Sequence, residues 1–201
     1  MSSDHKIRWS EFILAYIPTV IIWILSVSLL ALPEYTLTNA IIQSIFILIW
    51  SYTGHVFAHM ISTDWPFNIL NPHVYLHHKK SVDLPRWLEL IIEAIVNFFG
   101  FFIFIIIQNI FNFKIFSTSL LLGAAFLYIT IHILDYSIIG KEDHKLHHTK
   151  TFCNYDPEIF DTLFNTRCEP EKPYTNMIVE VPHALFAVVL AGVIKYIWKL
   201  D

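Results

Sequence analysis

Residues Leu88–Phe111 read LELIIEAIVNFFGFFIFIIIQNIF, an apolar run whose only charges, Glu89 and Glu93, stand near its start. About 20 such residues carry a helix across a bilayer. Working outward with the same window gives three more spans, Glu11–Leu32, Leu37–Ile61 and Ile115–Ile139. The expected fold is all-α: one domain over residues 1–201, an integral membrane bundle of four transmembrane helices. Short links at Pro33 to Thr36 and around Asn112 make two hairpins of them.

Composition agrees. The chain is 55 % hydrophobic and 16 % aromatic, with a mean hydropathy of +0.54, beyond the range of a soluble globule. A fifth stretch, Met177–Leu200, is interrupted by Glu180, Pro182 and His183, which leave an unbroken apolar core only from Ala184 to Ile194. It reads as interfacial or re-entrant, with a full fifth span as the alternative. No small-residue cleavage site follows the apolar run containing Pro18, so the first span is expected to remain in the mature protein.

Basic residues set the expected orientation, because cytoplasmic loops retain lysine and arginine. Lys6 and Arg8 precede the first span, Lys79, Lys80 and Arg86 lie between the second and third, and Lys141, Lys145, Lys150, Arg167 and Lys172 follow the fourth. Lys114 alone lies opposite. Both termini and the long loops are thus expected in the cytosol. Cys153 and Cys168, on that reducing side and outside any CxxC motif, read as free thiols. A net charge of −4 with no basic array excludes a nucleic-acid surface.

Nine of the eleven histidines fall in tight clusters: His55 and His59; His73, His77 and His78; His132; His144, His147 and His148. Neutral imidazole is the commonest metal ligand, and nine are too many for one tetrahedral ion. They suit two. At about 100° per residue, His55 and His59 share a helical stripe and His144, His147 and His148 fall within about 100° of arc. His78 is turned about 140° from His73 on an α-helix, so that segment needs a bend or a second metal to use all three. His5 and His183 stand outside the clusters and read as interfacial or hydrogen-bonded residues.

The order HxxxH, HxxxHH, a hydrophobic hairpin, a histidine ending the next span, then HxxHH resembles the fatty acid hydroxylase and sterol desaturase superfamily. After His144, His147 and His148 come Asn154 and Tyr155, then Phe160, Asp161, Phe164 and Thr166, similar to that family's NYG and WDxLFGT signatures. The resemblance covers about Ser51 to Arg167. It departs at Asp156 and Asn165, where the family has glycine, at Phe160, where it has tryptophan, and at Tyr136, where several relatives carry a further histidine. The second histidine block also has one residue more before its pair than in many members.

The resemblance implies a multi-pass membrane enzyme that hydroxylates or desaturates a lipid (a sterol, fatty acyl chain or sphingolipid) at a cytosolic site. Its host membrane would be the endoplasmic reticulum in a eukaryote or the inner membrane in a bacterium. It implies two iron ions, which zinc can replace in recombinant protein, with O2 as co-substrate. An external electron donor, cytochrome b5-like or ferredoxin-like, is implied because the chain carries no haem, Rossmann or iron–sulfur signature; Lys79, Lys145 and Lys150 are candidate contacts for it. Carboxylates that orient ligating imidazoles through the second ring nitrogen are sought at Asp161, matching the WD position, and at Asp135 and Asp143. Asn154 is expected to bond a ligand or hold a water. Glu89 reads as facing water, and Glu93, on the same stripe, as facing water or the site. The competing functions are a histidine-rich metal transporter, which the aliphatic middles of the spans disfavour, and an inactive scaffold.

Overall fold

The computed structural model describes residues 6–67, 71–78 and 83–200, and every regular element within them is helical. His5, Lys79 and Lys80 lie outside the described residues. In chain order the helices are α1 (Trp9–Leu29), α2 (Leu37–Met60), a π-helical segment (His73–His78), α3 (Arg86–Ile110) and α4 (Thr118–Ile131). The last runs straight on into a second π-helical segment, His132–Ile139. Short helices α5 (Glu142–Thr149) and α6 (Glu158–Leu163) follow, and a 3-10 turn, Met177–Glu180, leads into α7 (Val181–Trp198).

Among the described residues, five helical stretches are long and apolar enough to cross a membrane, one more than the four expected: Trp9–Leu29, Leu37–Met60, Arg86–Ile110, Thr118–Ile139 and Met177–Trp198. They mark a membrane protein. The fifth is the stretch read as interfacial or re-entrant with a full span as the alternative; its length and composition suit the alternative, and its polar interruptions find partners. Glu180 pairs with Lys141 at 2.6 Å, His183 with Asp135 at 3.1 Å, and Pro182 sits in the first turn of α7, where its missing N–H would have had no partner anyway. Polar groups that meet one another within the bundle do not break a span.

The packing follows side-chain size. Helix α4 is the central strut, with Leu120, Leu121 and Ala125 fully or almost fully buried. Ala184, Ala187 and Ala191 form a stripe on α7 at 0 % exposure, the small-residue seam that lets helices approach closely in lipid. Gly123 of α4 meets this seam: a Cβ there would stand 2.2 Å from a Leu30 methyl and 3.6 Å from Ala191. Outward-facing Leu14, Ile95, Ile103, Phe186 and Val189 are exposed, as lipid-facing positions should be.

Helix α3 is arranged the other way round. Its buried residues are Glu93, Asn97, Phe101 and Gln108, a largely polar stripe at spacings of four and seven, while its aliphatic faces point out. Polar groups in a span are stable only with partners. Gln108 finds them at the turn into α4, accepting from the Ile115 and Phe116 amides at 2.9 and 2.6 Å. Glu93 and Asn97 stand at the other end, where the histidines are.

Candidate metal centre

The histidines arrive on four supports. His55 and His59 occupy the last turns of α2, which ends at Met60. Asn71, 3 % exposed, donates from Nδ2 to the terminal carbonyls of Ala58 and Ile61 at 2.6 and 3.0 Å. Its Oδ1 accepts the Val74 amide at 3.3 Å. One side chain thus closes α2 and opens the segment bearing the next three histidines. That segment winds as a π-helix, whose wider i→i+5 turn brings His78 back over His73, with Nε2 atoms 3.1 Å apart. The wide turn supplies the bend that the α-helical 140° offset required. His132 begins the second π-helical segment, and α5 carries His144, His147 and His148.

All nine clustered histidines converge. The ligand atoms of His55, His59, His73, His78 and His147 form one group, those of His77, His78 and His148 a second, and those of His77, His132 and His144 a third, each with all members within 4.8 Å of one another. Such groups could hold metal ions.

Hydrogen bonding tests the fit. His55 Nδ1 bonds the Tyr155 carbonyl and His147 Nδ1 the Cys153 carbonyl at 2.6 Å. A carbonyl only accepts, so each Nδ1 carries the proton and each Nε2 presents a bare lone pair. Yet these two Nε2 atoms face each other at 3.2 Å. His55 Nε2 also lies 2.9 Å from that of His73 and 3.2 Å from that of His59. Two acceptors buried at that distance repel unless a cation lies between them. Nitrogens about 2.0–2.1 Å from one ion lie about 3 Å from each other when they are adjacent ligands. The donor set therefore fits a metal.

The third group has the same character by another route. Among the described residues, His77 Nε2, both ring nitrogens of His132, and His144 Nδ1 are buried without a hydrogen-bond partner. Glu93, 3 % exposed, stands between two of these rings: its carboxylate is 3.5 Å from His77 Nδ1 and 3.2 Å from His132 Nε2, without hydrogen-bond alignment to either. Ser137 donates to Glu93. Tyr136 stacks on His144 with ring centres 4.6 Å apart. Glu89 pairs with Arg86 at 3.1 Å, towards solvent. Glu93 went unassigned in the sequence because a carboxylate near a span end reads equally as wet; its stripe shared with Asn97 was the available signal.

Burial holds the clustered imidazoles outside the spans in the neutral form. His73, His77, His78 and His144 are pushed well below the usual histidine range by desolvation first and by neighbouring imidazoles second. His147 is lowered to about 3 by the same burial, partly opposed by its bond to the Cys153 carbonyl.

The loop after α5 supplies those orienting carbonyls, and here an expectation is corrected. Cys153 and Cys168 are not free thiols but form a disulfide, with Cα atoms 5.0 Å apart. The thiol reading came from an assumed compartment, whereas the backbone decides: Asn154 N bonds the Thr166 carbonyl at 2.7 Å and Cys168 N donates to Asn154 Oδ1 at 2.8 Å, folding the strands of the loop side by side. Asn154, at φ 55°, also donates to the Asp143 carbonyl at 3.0 Å. Its bonds are to backbone, so it shapes the loop. Asp161 accepts from the Tyr155 and Asp156 amides at 2.9 and 2.7 Å and from the Thr166 hydroxyl at 2.6 Å. It reaches His55 through the Tyr155 backbone and is a positioning residue. Burial raises its carboxyl to about 6 against the pull of those three donors. Asp135 faces His183, and Asp156 lies 4.0 Å from His144 Nδ1.

No family model, curated protein or solved structure matches the chain. What the site can do must be argued from its own chemistry.

Proposed function

We propose that the chain is a membrane-bound, O2-dependent oxidoreductase that holds two iron ions on its nine clustered histidines and hydroxylates or desaturates a lipid. The observation that carries this reading is the facing pair of bare Nε2 lone pairs on His55 and His147, buried 3.2 Å apart, inside a nine-histidine constellation too large for one ion. Neutral nitrogen ligands suit iron, copper and zinc alike. The choice of iron rests on the resemblance in motif order, and so does the choice of lipid.

When bound, the metals would supply the redox chemistry that side chains lack for an unactivated C–H bond. The protein's own residues do the positioning. The Tyr155 and Cys153 carbonyls fix the tautomers of His55 and His147, Asp161 holds the Tyr155 backbone, and Glu93 places negative charge between His77 and His132, offsetting cationic charge there. Tyr136, stacked on His144, holds that ring in place. A cavity of about 380 Å3, lined by His73, His77, His144, His148, Arg86 and Lys145 among others, gives the other side of the centre an approach from outside. Lys145 in its wall and Lys150, just past the end of α5, are candidate contacts for an acidic electron donor. The basic residues argue for a cytosolic site, and the disulfide argues for an oxidising compartment; maleimide labelling of Cys153 and Cys168 in intact cells, before and after reduction, decides between them.

The test is anaerobic reconstitution with ferrous iron, metal counting, and O2 consumption on a lipid panel beside His147→Ala. Two irons per chain and O2-dependent product lost in the variant are expected. One metal per chain, or O2 consumption independent of His147, overturns the proposal.

A further inference from the structure

Cys153 and Tyr155 each orient a histidine, yet they are held by different means. The Tyr155 amide donates to Asp161 at 2.9 Å, Asp161 accepts the Thr166 hydroxyl at 2.6 Å, and that oxygen lies 2.8 Å from the Tyr52 hydroxyl of α2. None of these bonds involves sulfur. Cys153 has no such frame: its amide finds no backbone acceptor among the described residues. Its carbonyl accepts from His147 Nδ1 at 2.6 Å, and its side chain is joined to Cys168.

Cys168 is the fixed post of that link. Its amide donates to Asn154 Oδ1 at 2.8 Å. Beside it the buried Arg167 donates to the Lys172 and Pro173 carbonyls at 3.2 and 3.1 Å and pairs with Glu158 at 3.2 Å. The disulfide therefore ties Cys153 to an anchored strand and, through the Cys153 carbonyl, steadies the fully buried ring of His147. Both cysteines are partly exposed, which opens the sulfur pair to a small thiol.

We propose that the Cys153–Cys168 disulfide is a redox lock on the ion of the five-histidine group: a dithiol reductant opens it and loosens that ion, while the group of His77, His132 and His144 keeps its own. In the step, one dithiol sulfur attacks one protein sulfur and breaks the S–S bond, and the other protein sulfur leaves and takes up a proton. The second dithiol sulfur then displaces the first protein sulfur, which takes up the other proton. Two electrons pass to the cysteine pair, and the dithiol departs as a disulfide.

The lock rests on the metal-holding half of the proposed function and on no turnover. Losing a group that orients a ligating imidazole costs about 10–100-fold in metal affinity. Asn154 stays bonded to the Thr166 and Asp143 backbone after reduction, so Cys153 is loosened and not set free, and the low end, about tenfold, is expected. Coupling of this kind is reciprocal. An ion bound about tenfold more tightly by the disulfide form lowers the reduction potential of the pair by about 30 mV.

The test uses the full-length protein in lipid nanodiscs, loaded anaerobically with ferrous iron, and follows release of the iron to ferrozine before and after reduction by a phosphine that is removed beforehand. One iron per chain is expected to leave about tenfold faster from the reduced protein, the other at an unchanged rate. The double substitution Cys153→Ser with Cys168→Ser should release iron as the reduced protein does, with no reductant present. In dithiothreitol redox buffers, saturating free ferrous iron should move the midpoint of the disulfide about 30 mV below that of the metal-free protein. Equal release from both forms, or a midpoint unmoved by iron, overturns the lock and leaves the metal centre standing. Loss of both irons together on reduction overturns its one-sidedness, and iron taken up by neither form overturns the metal centre and the lock with it.

Discussion

The five-histidine group around His55 and the group of His77, His132 and His144 gather imidazoles in the same way but in different surroundings. In the first, each orienting partner is a backbone carbonyl on one loop, Tyr155 for His55 and Cys153 for His147. In the second, carboxylates approach the rings: Glu93 beside His77 and His132, and Asp156 near His144. The first depends on the shape of a stapled loop and the second on charge carried by a membrane helix. Damage to the loop should therefore be felt on one side of the site and damage to α3 on the other.

The sharpest way to break this division is to remove a histidine that links the two sides through the intermediate group of His77, His78 and His148, which shares His77 with the His132 side. His78 belongs to the five-histidine group and to the His77, His78, His148 group. His78→Ala should lose both metals and all turnover, whereas His132→Ala should lose one metal and keep the other; metal counting by mass spectrometry separates the outcomes. If His132→Ala also empties the site, the two groups are one cooperative unit and the comparison fails.

Next in size is Glu93→Gln, which keeps the shape and removes the charge. Loss of a residue that orients ligands costs about 10–100-fold in metal affinity or activity, and the loss should fall on the His77 side, so a metal titration should become biphasic. A single unshifted binding phase would make Glu93 a bystander. Asp161→Asn tests the loop side and should cost about tenfold in turnover at equal membrane abundance, towards the low end of the same range, because Asp161 acts through the Tyr155 backbone. Unchanged turnover and metal content would reduce Asp161 to a turn-capping residue.

Acid should weaken the metal-free protein. His73, His77, His78, His144 and His147 are held neutral in the fold by burial, while an unfolded imidazole takes up a proton near about pH 6.5. Below that pH the unfolded chain binds more protons, so stability present above it is lost as pH falls, by up to about 1.4 kcal/mol per pH unit for each such histidine. A Tm of the metal-stripped protein that stays flat between about pH 7.5 and 5 would contradict this neutral-histidine reading. The smallest effect is expected from His183→Ala: His183 pairs with Asp135 and belongs to none of the ligand groups, so turnover should stay within about twofold, as for substitutions away from a site.

Much of this was legible in the chain. Apolar length gave four of the five long helices to within a few residues, because lipid burial is a property of composition. Cluster spacing gave the nine converging histidines. Three features were hidden because each depends on a partner distant in sequence. Helix α7 looked too polar until Lys141 and Asp135 came to meet Glu180 and His183. The cysteine pairing was masked by reasoning from compartment, and His78 could reach His73 only through a π-turn, which no α-helical wheel shows. Asn71 was passed over although an asparagine just before a helical segment is an ordinary cap signal.

Helix α7 contributes no histidine to the site, yet it is tied down at both ends. Lys195 donates to the Leu30 and Leu32 carbonyls at 2.9 and 2.8 Å and pairs with Glu34 at 2.7 Å, while Glu180 and His183 grip the segment just beyond His132. During synthesis the amino-terminal parts of a chain fold first, and α1 to α4 therefore insert while α7 is still being made. Until α7 docks along its alanine stripe, the strut carrying His132 lacks its main neighbour. On the proposed reading, ion loading on the His132 side would then be a late event in the protein's biogenesis, one that follows the meeting of Lys195 with the first hairpin.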